Sequence, residues 1–81
     1  MAILSEKIEG KIINVDINST NLTSASYNTE SKVLSVTFKT GNIYEYENVP
    51  WEMFTKFRMA DSQGKFFNNN IAKVYSYKKI K

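Results

Sequence analysis

The sequence predicts an α+β fold: a small antiparallel β-sheet of three or four strands with two short helices packed on one face. Three observations predict it. Apolar and polar residues alternate through the first half of the chain, most clearly at Leu34, Val36 and Phe38. A turn signal, Thr40-Gly41-Asn42, separates two such runs. Beyond Pro50 the spacing becomes helical, with Met53, Phe54, Phe57 and Ala60 on one stripe.

The elements follow in order. Ile13, Val15 and Ile17 alternate with Ile12, Asn14 and Asp16, a strand with one mostly apolar face. Ser19 to Thr23 is polar and turn-like and runs into a short strand, Leu22 to Tyr27. Asn28 to Ser31 forms the next turn, and Val33 to Lys39 the clearest strand. Ile43 to Glu47 returns beside it. A two-residue loop at Thr40-Gly41 would pair Phe38 with Ile43, whereas a three-residue loop through Asn42 pairs Phe38 with Tyr44 and Val36 with Tyr46. The second is preferred, because it sets both tyrosines on the apolar face and Glu45 and Glu47 on the other. Pro50 suits a first helical position and Glu52 the first turn. Phe66, Phe67, Ile71 and Val74 mark a second short helix from about Ser62 to Ala72, and Tyr75 to Ile80 closes the chain as an extended segment.

Composition narrows the function. Eighty-one residues make one small domain, near the size at which a single core is marginal, so a homo-oligomer is expected. The chain has no cysteine and no histidine. Thiolate chemistry is excluded, and the commonest general base and metal ligand is missing. Glu45 and Glu47 share a strand face but have no acid–base partner, and the other acids are scattered. The expectation is therefore no enzyme, no catalytic residue, no metal and no cofactor. No apolar run is long enough to span a bilayer. The opening Met1-Ala2-Ile3-Leu4-Ser5-Glu6-Lys7 is too short and too charged for a signal peptide. A cytoplasmic location is expected, the host's cytoplasm if the source is viral.

Charge is segregated. Residues 62 to 81 hold Lys65, Lys73, Lys78, Lys79 and Lys81 and no acid, net +5. The other 61 residues hold six bases and eight acids, net −2, which gives the overall +3. A basic end favours an anionic partner, phosphate above all. A solvated tail that aids solubility is the plainer alternative. Ser62-Gln63-Gly64-Lys65 leads into the second helix, where free amides, a glycine and a lysine suit a phosphate. The same residues serve equally as an N-cap and a turn. Tyr75 and Tyr77 beside Lys78 and Lys79 suit base stacking with phosphate contacts, or a terminal strand packing one tyrosine inward. Tyr44 and Tyr46 form a stacking platform if open, and core if the preferred register holds. Asn68 offers an amide for a base edge, or is simply polar helix surface. Trp51 lies off the apolar stripe, at the core edge or a contact.

The ordered set of residues resembles a known family. Leu34-x-Val36-x-Phe38, Gly41-x-Ile43-Tyr44-x-Tyr46, Val49-Pro50, Ala60-Asp61-Ser62-x-Gly64-x-Phe66-Phe67-Asn68, Ile71 and Tyr75-x-Tyr77-x-x-Ile80 are similar to the KTSC domain, named for the carboxyl end of some lysyl-tRNA synthetases. The likeness runs from about Asn18 to Ile80. It divides the chain into an N-terminal extension, residues 1–17, read as an extra strand or oligomer contact, and a KTSC-like domain, residues 18–81. The resemblance implies a small α+β domain with a nucleotide-type partner, RNA being the usual guess. One position departs: Ala72 stands where the family commonly has arginine, with Lys73 one place later.

The expected function is a non-catalytic nucleotide-binding protein. In its sharpest form, an oligomer holds and sequesters a small phosphorylated nucleotide, such as a cyclic nucleotide signal, as a phage protein acting against host defence would. Ser62, Gly64 and Lys65 would hold phosphate, Asn68 would read a base or ribose edge, and Lys73, Tyr75 and Tyr77 would close the pocket. The alternatives are a binder of single-stranded RNA or tRNA, and a protein-interaction module or inhibitor of a host protein.

Overall fold

The computed structural model describes residues 2–81 as backbone and residues 6–81 with their side chains. One six-stranded sheet runs in sequence order, β1 (Ala2–Glu9), β2 (Ile12–Asn18), β3 (Leu22–Asn28), β4 (Val33–Phe38), β5 (Ile43–Tyr46) and β6 (Tyr77–Lys79), every neighbour antiparallel. Between β5 and β6 the chain forms α1 (Trp51–Met59), α2 (Gln63–Phe66) and a π turn (Phe67–Ile71). The α+β class stands, but the sheet has six strands rather than three or four. The two strands with no side-chain signal lie at the edges. Residues 6 to 9 of β1 are all exposed, and so is every residue of β6, so neither writes an apolar alternation into the sequence.

The core lies on the helix side of the sheet. Ile13, Val15 and Ile17 of β2 face Ala25 and Tyr27 of β3, then Leu34 and Val36 of β4 and Tyr46 of β5, under Phe54, Phe57, Phe67 and Ile71. Ile13, Val15 and Ile17 thus pack into the same core as the rest. Tyr27 stacks on Phe54 with ring centroids 4.6 Å apart and donates its hydroxyl to the Val49 carbonyl at 2.6 Å. That bond fixes the linker into α1, as does the Val49 amide donating to the Lys32 carbonyl. Burial raises the Tyr27 hydroxyl above its ordinary pKa, with a smaller contribution from Tyr75. At the far edge, Glu6 of β1 reaches Arg58 of α1 at 2.8 Å. The guanidinium lies 5.2 Å from the Trp51 ring centre and 4.9 Å from that of Phe54.

The β4–β5 register differs from expectation by two residues. Val36 pairs with Tyr44 and Leu34 with Tyr46, not Phe38 with Tyr44 and Val36 with Tyr46. The faces are as expected; the loop is not. The Phe38 amide donates to the Asn42 carbonyl and the Gly41 amide to the Phe38 carbonyl, so the three loop residues are Lys39, Thr40 and Gly41. Such a loop needs a left-handed residue in its third place, and Gly41 supplies it at φ 95°. Pro50 is the N-cap of α1 rather than its first residue. The second helix is also shorter than expected: four α-helical residues precede the π turn.

Candidate nucleotide-binding surface

The Ser62–Gly64 turn is built for packing. Ser62 Oγ accepts the Lys65 amide at 3.3 Å, an N-cap for α2. Gln63, almost fully buried, turns back to α1, where its Nε2 donates to the carbonyls of Ala60 at 2.9 Å, Arg58 at 3.3 Å and Phe57 at 3.4 Å. These carbonyls lie at the end of α1, where the helix itself runs short of donors, and that of Phe57 also accepts the Ala60 amide at 3.4 Å. Gly64 is buried too. A β-carbon there would lie 2.6 Å from Asn21 Oδ1 and 3.1 Å from Ser19 Oγ, so the absence of a side chain lets the β2–β3 loop close on α2. The space a phosphate would need beside Gly64 is filled by Asn21.

The remaining expected site residues stand on successive elements, Lys65 on α2, Asn68 on the π turn, Lys73 and Tyr75 after it and Tyr77 on β6. Lys65, Asn68 and Lys73 are exposed, and no hydrogen bond or ring contact among the described residues joins them to each other or to the tyrosines. Tyr75 packs against the core, close enough to Tyr27 to affect its hydroxyl. Tyr77 goes elsewhere. It sits on β6 opposite Tyr46, 58% exposed, with its ring 5.5 Å from Tyr44 and 5.6 Å from Tyr46.

Tyr77 completes an aromatic row. Tyr44 lies between Tyr77 and Phe38, its ring 5.6 Å from Phe38 in an edge-on contact. Phe67 covers Phe38 and Tyr46 from the helix side, at 5.6 and 5.2 Å, both edge-on. Tyr46 is therefore buried, while Tyr44 and Phe38 are half-buried and Tyr77 is open. Burial raises the Tyr46 hydroxyl above its ordinary pKa, with smaller contributions from Tyr77 and Tyr44. Lysines border the row. Lys79 stands opposite Tyr44 across the β5–β6 ladder, Lys39 directly follows Phe38, and Lys78 faces Glu45 on the other side of the sheet. The sequence pattern places Tyr44 in the core with Tyr46 and offers Lys79 only as a neighbour of Tyr75 and Tyr77, and it singles out neither Phe38 nor Lys39 as a site residue. The available signal was the short, lysine-rich strand after Tyr77, which leaves β5 covered only by an exposed edge.

A small antiparallel meander with a helical cap on one face and an aromatic edge is the class of domain described here. The KTSC domain profile matches residues 18–75, and the chain belongs to that family. An uncharacterized protein of Stutzerimonas stutzeri (strain A1501) is 41% identical over 54 residues, 67% of this chain and 76% of the relative. The crystal structure of a KTSC domain protein from Yersinia pestis superposes with a TM-score of 0.81 at 26% identity, covering 86% of this chain and 99% of the other. Among the described residues, no helix is long and apolar enough to cross a membrane.

Proposed function

We propose that the protein is a non-catalytic binder of nucleotide ligands, and that single-stranded RNA is the form its surface suits best. The observation that carries this is the row Phe38–Tyr44–Tyr77, open to solvent at Tyr77 and flanked by Lys79 and Lys39. Aromatic faces accept any base by stacking, and lysines beside them take the intervening phosphates. The row crosses three strands, from β4 through β5 to the open edge β6, rather than lining a pocket, which favours a strand of several nucleotides over a single one.

Fluorescence anisotropy with a labelled single-stranded oligoribonucleotide tests this. The logarithm of the binding constant should fall linearly with the logarithm of salt concentration, with a slope of about −0.7 for each phosphate contacted. Tyr77→Ala should weaken binding about 5- to 150-fold, the worth of one stacked base. The narrower reading is a homo-oligomer that sequesters a small signalling nucleotide in the cytoplasm, the role of a phage protein acting against host defence. It predicts tight binding of a mononucleotide or cyclic nucleotide with a shallow salt slope. Absence of binding to both ligand sizes would overturn the reading and leave a protein-interaction role through Trp51 or the N-terminal strands.

A further inference from the structure

At the Phe38 end of the aromatic row, three chain segments border an open surface cavity of about 440 Å³, lined by Asn18, Ser19, Thr20, Lys39 and Ser62. The end of β2 contributes Asn18, and the β2–β3 loop contributes Ser19 and Thr20. The β4–β5 loop contributes Lys39, and the α1–α2 junction contributes Ser62. Every lining side chain is polar, one is cationic and none is a carboxylate. The walls are held in place. Ser19 Oγ donates to Asn21 Oδ1 at 3.0 Å, and the Lys39 amide donates to the Asn21 carbonyl at 2.9 Å. Ser62 Oγ accepts the Lys65 amide and keeps its own proton to donate. Among the described residues Lys39 makes no ion pair, and Thr20 and Asn18 spend no side-chain hydrogen bond. The cavity therefore presents one uncompensated positive charge with hydroxyl and amide donors around it, and no fixed negative charge to repel an anion.

We propose that this cavity is a phosphoryl subsite, in which Lys39 neutralises a phosphate and Thr20, Ser62 and Asn18 donate hydrogen bonds to its oxygens. The proposal rests on the nucleotide-binding reading: the subsite would take a phosphate of a ligand whose base stacks on the adjoining row. It relocates the anion contact from Gly64, whose surroundings are filled, to the loops beside it. It draws nothing from the four-residue helix α2, whose Lys65 and Phe66 amides already bond to Ser62.

Two measurements separate this proposal from the reading beneath it. In the first, inorganic phosphate is titrated into the isotope-labelled protein against chloride at matched ionic strength. Saturable shifts should gather at residues 18–20, 39 and 62. In the second, the salt slope for the oligoribonucleotide is compared between the native protein and Lys39→Ala, with Lys56→Ala on α1 as control. Lys39→Ala should make the slope shallower by about 0.7, one phosphate contact, and Lys56→Ala should leave it unchanged. Oligonucleotides with and without a 5′-phosphate tell a terminal group from a chain phosphodiester. Phosphate shifts without RNA binding would keep the subsite and overturn the stacking reading. RNA binding that depends on Tyr77, with no phosphate shifts and an unchanged Lys39→Ala slope, would keep the reading and overturn the subsite.

Discussion

Replacing Gln63 by alanine tests what the Ser62-Gln63-Gly64 segment is for. The Nε2 group makes one short bond, to Ala60 at 2.9 Å, and two long ones, to Arg58 and Phe57. The short bond and the long pair together are worth about 1.5–2 kcal/mol. Truncating an almost fully buried side chain leaves a void that adds about 1–1.5 kcal/mol. Against this, Gln63 Oε1 is buried with no partner among the described residues, and its removal returns about 1 kcal/mol of desolvation. The net loss is about 2 kcal/mol, a fall in Tm of roughly 8–16 °C for a domain of this size. Gln63→Glu should be worse than Gln63→Ala near neutral pH, since a carboxylate cannot donate to carbonyls, and should recover as acid protonates it. Urea denaturation followed by circular dichroism reads both. Stabilities within about 0.5 kcal/mol of native for both variants would refute the capping role, since that is the range of ordinary surface substitutions.

Four further outcomes are expected. Gly64→Ala should destabilise the native chain, where Asn21 Oδ1 lies 2.6 Å from the β-carbon position, and should cost less in an Asn21→Ala background, where only Ser19 Oγ at 3.1 Å still opposes the helical preference for alanine of up to about 1 kcal/mol; a thermal-melt double-mutant cycle measures the coupling. Tyr27→Phe should cost about 1–2 kcal/mol in urea denaturation, because the buried Val49 carbonyl loses its donor. Tyr27 and Tyr46 both have raised pKa values in the fold, so the unfolded chain ionises first and stability should decline as pH rises above about 10, less steeply in Tyr27→Phe. Glu6→Gln should lower Tm only slightly, by less than about 1 kcal/mol of stability, since the Glu6 side chain is 37% exposed, and high salt should shrink the difference.

Much of the fold was legible because burial writes a period into the sequence. Ile13, Val15 and Ile17, then Leu34 and Val36, lie on the covered face, and Phe54 and Phe57 meet them from α1. Edge strands write no such period. Residues 6–9 of β1 and residues 77–79 of β6 are exposed on both faces, so alternation could not disclose them. The β4–β5 loop was misplaced by a residue on each side because the turn was located by composition, whereas Gly41 must stand third to carry its left-handed conformation. The site was less legible still. Ser62, Gln63 and Gly64 have the composition of an anion cradle and the geometry of two helix caps and a close packing contact. Only tertiary structure distinguishes these, because it alone reveals that Asn21 fills the space beside Gly64. Tyr44 and Tyr46 share a face and look equivalent in sequence. Their difference comes from Phe67, whose ring packs edge-on against Tyr46 at 5.2 Å.

Chemical-shift mapping of the labelled protein with a short single-stranded oligoribonucleotide tests the central claim most directly. Perturbations should concentrate at Phe38, Tyr44, Tyr77 and Lys79, and should vanish from that edge in Tyr77→Ala. Shifts confined to the Trp51 and Met59 side of α1, or no shifts at ligand concentrations well above those of the protein, would contradict it.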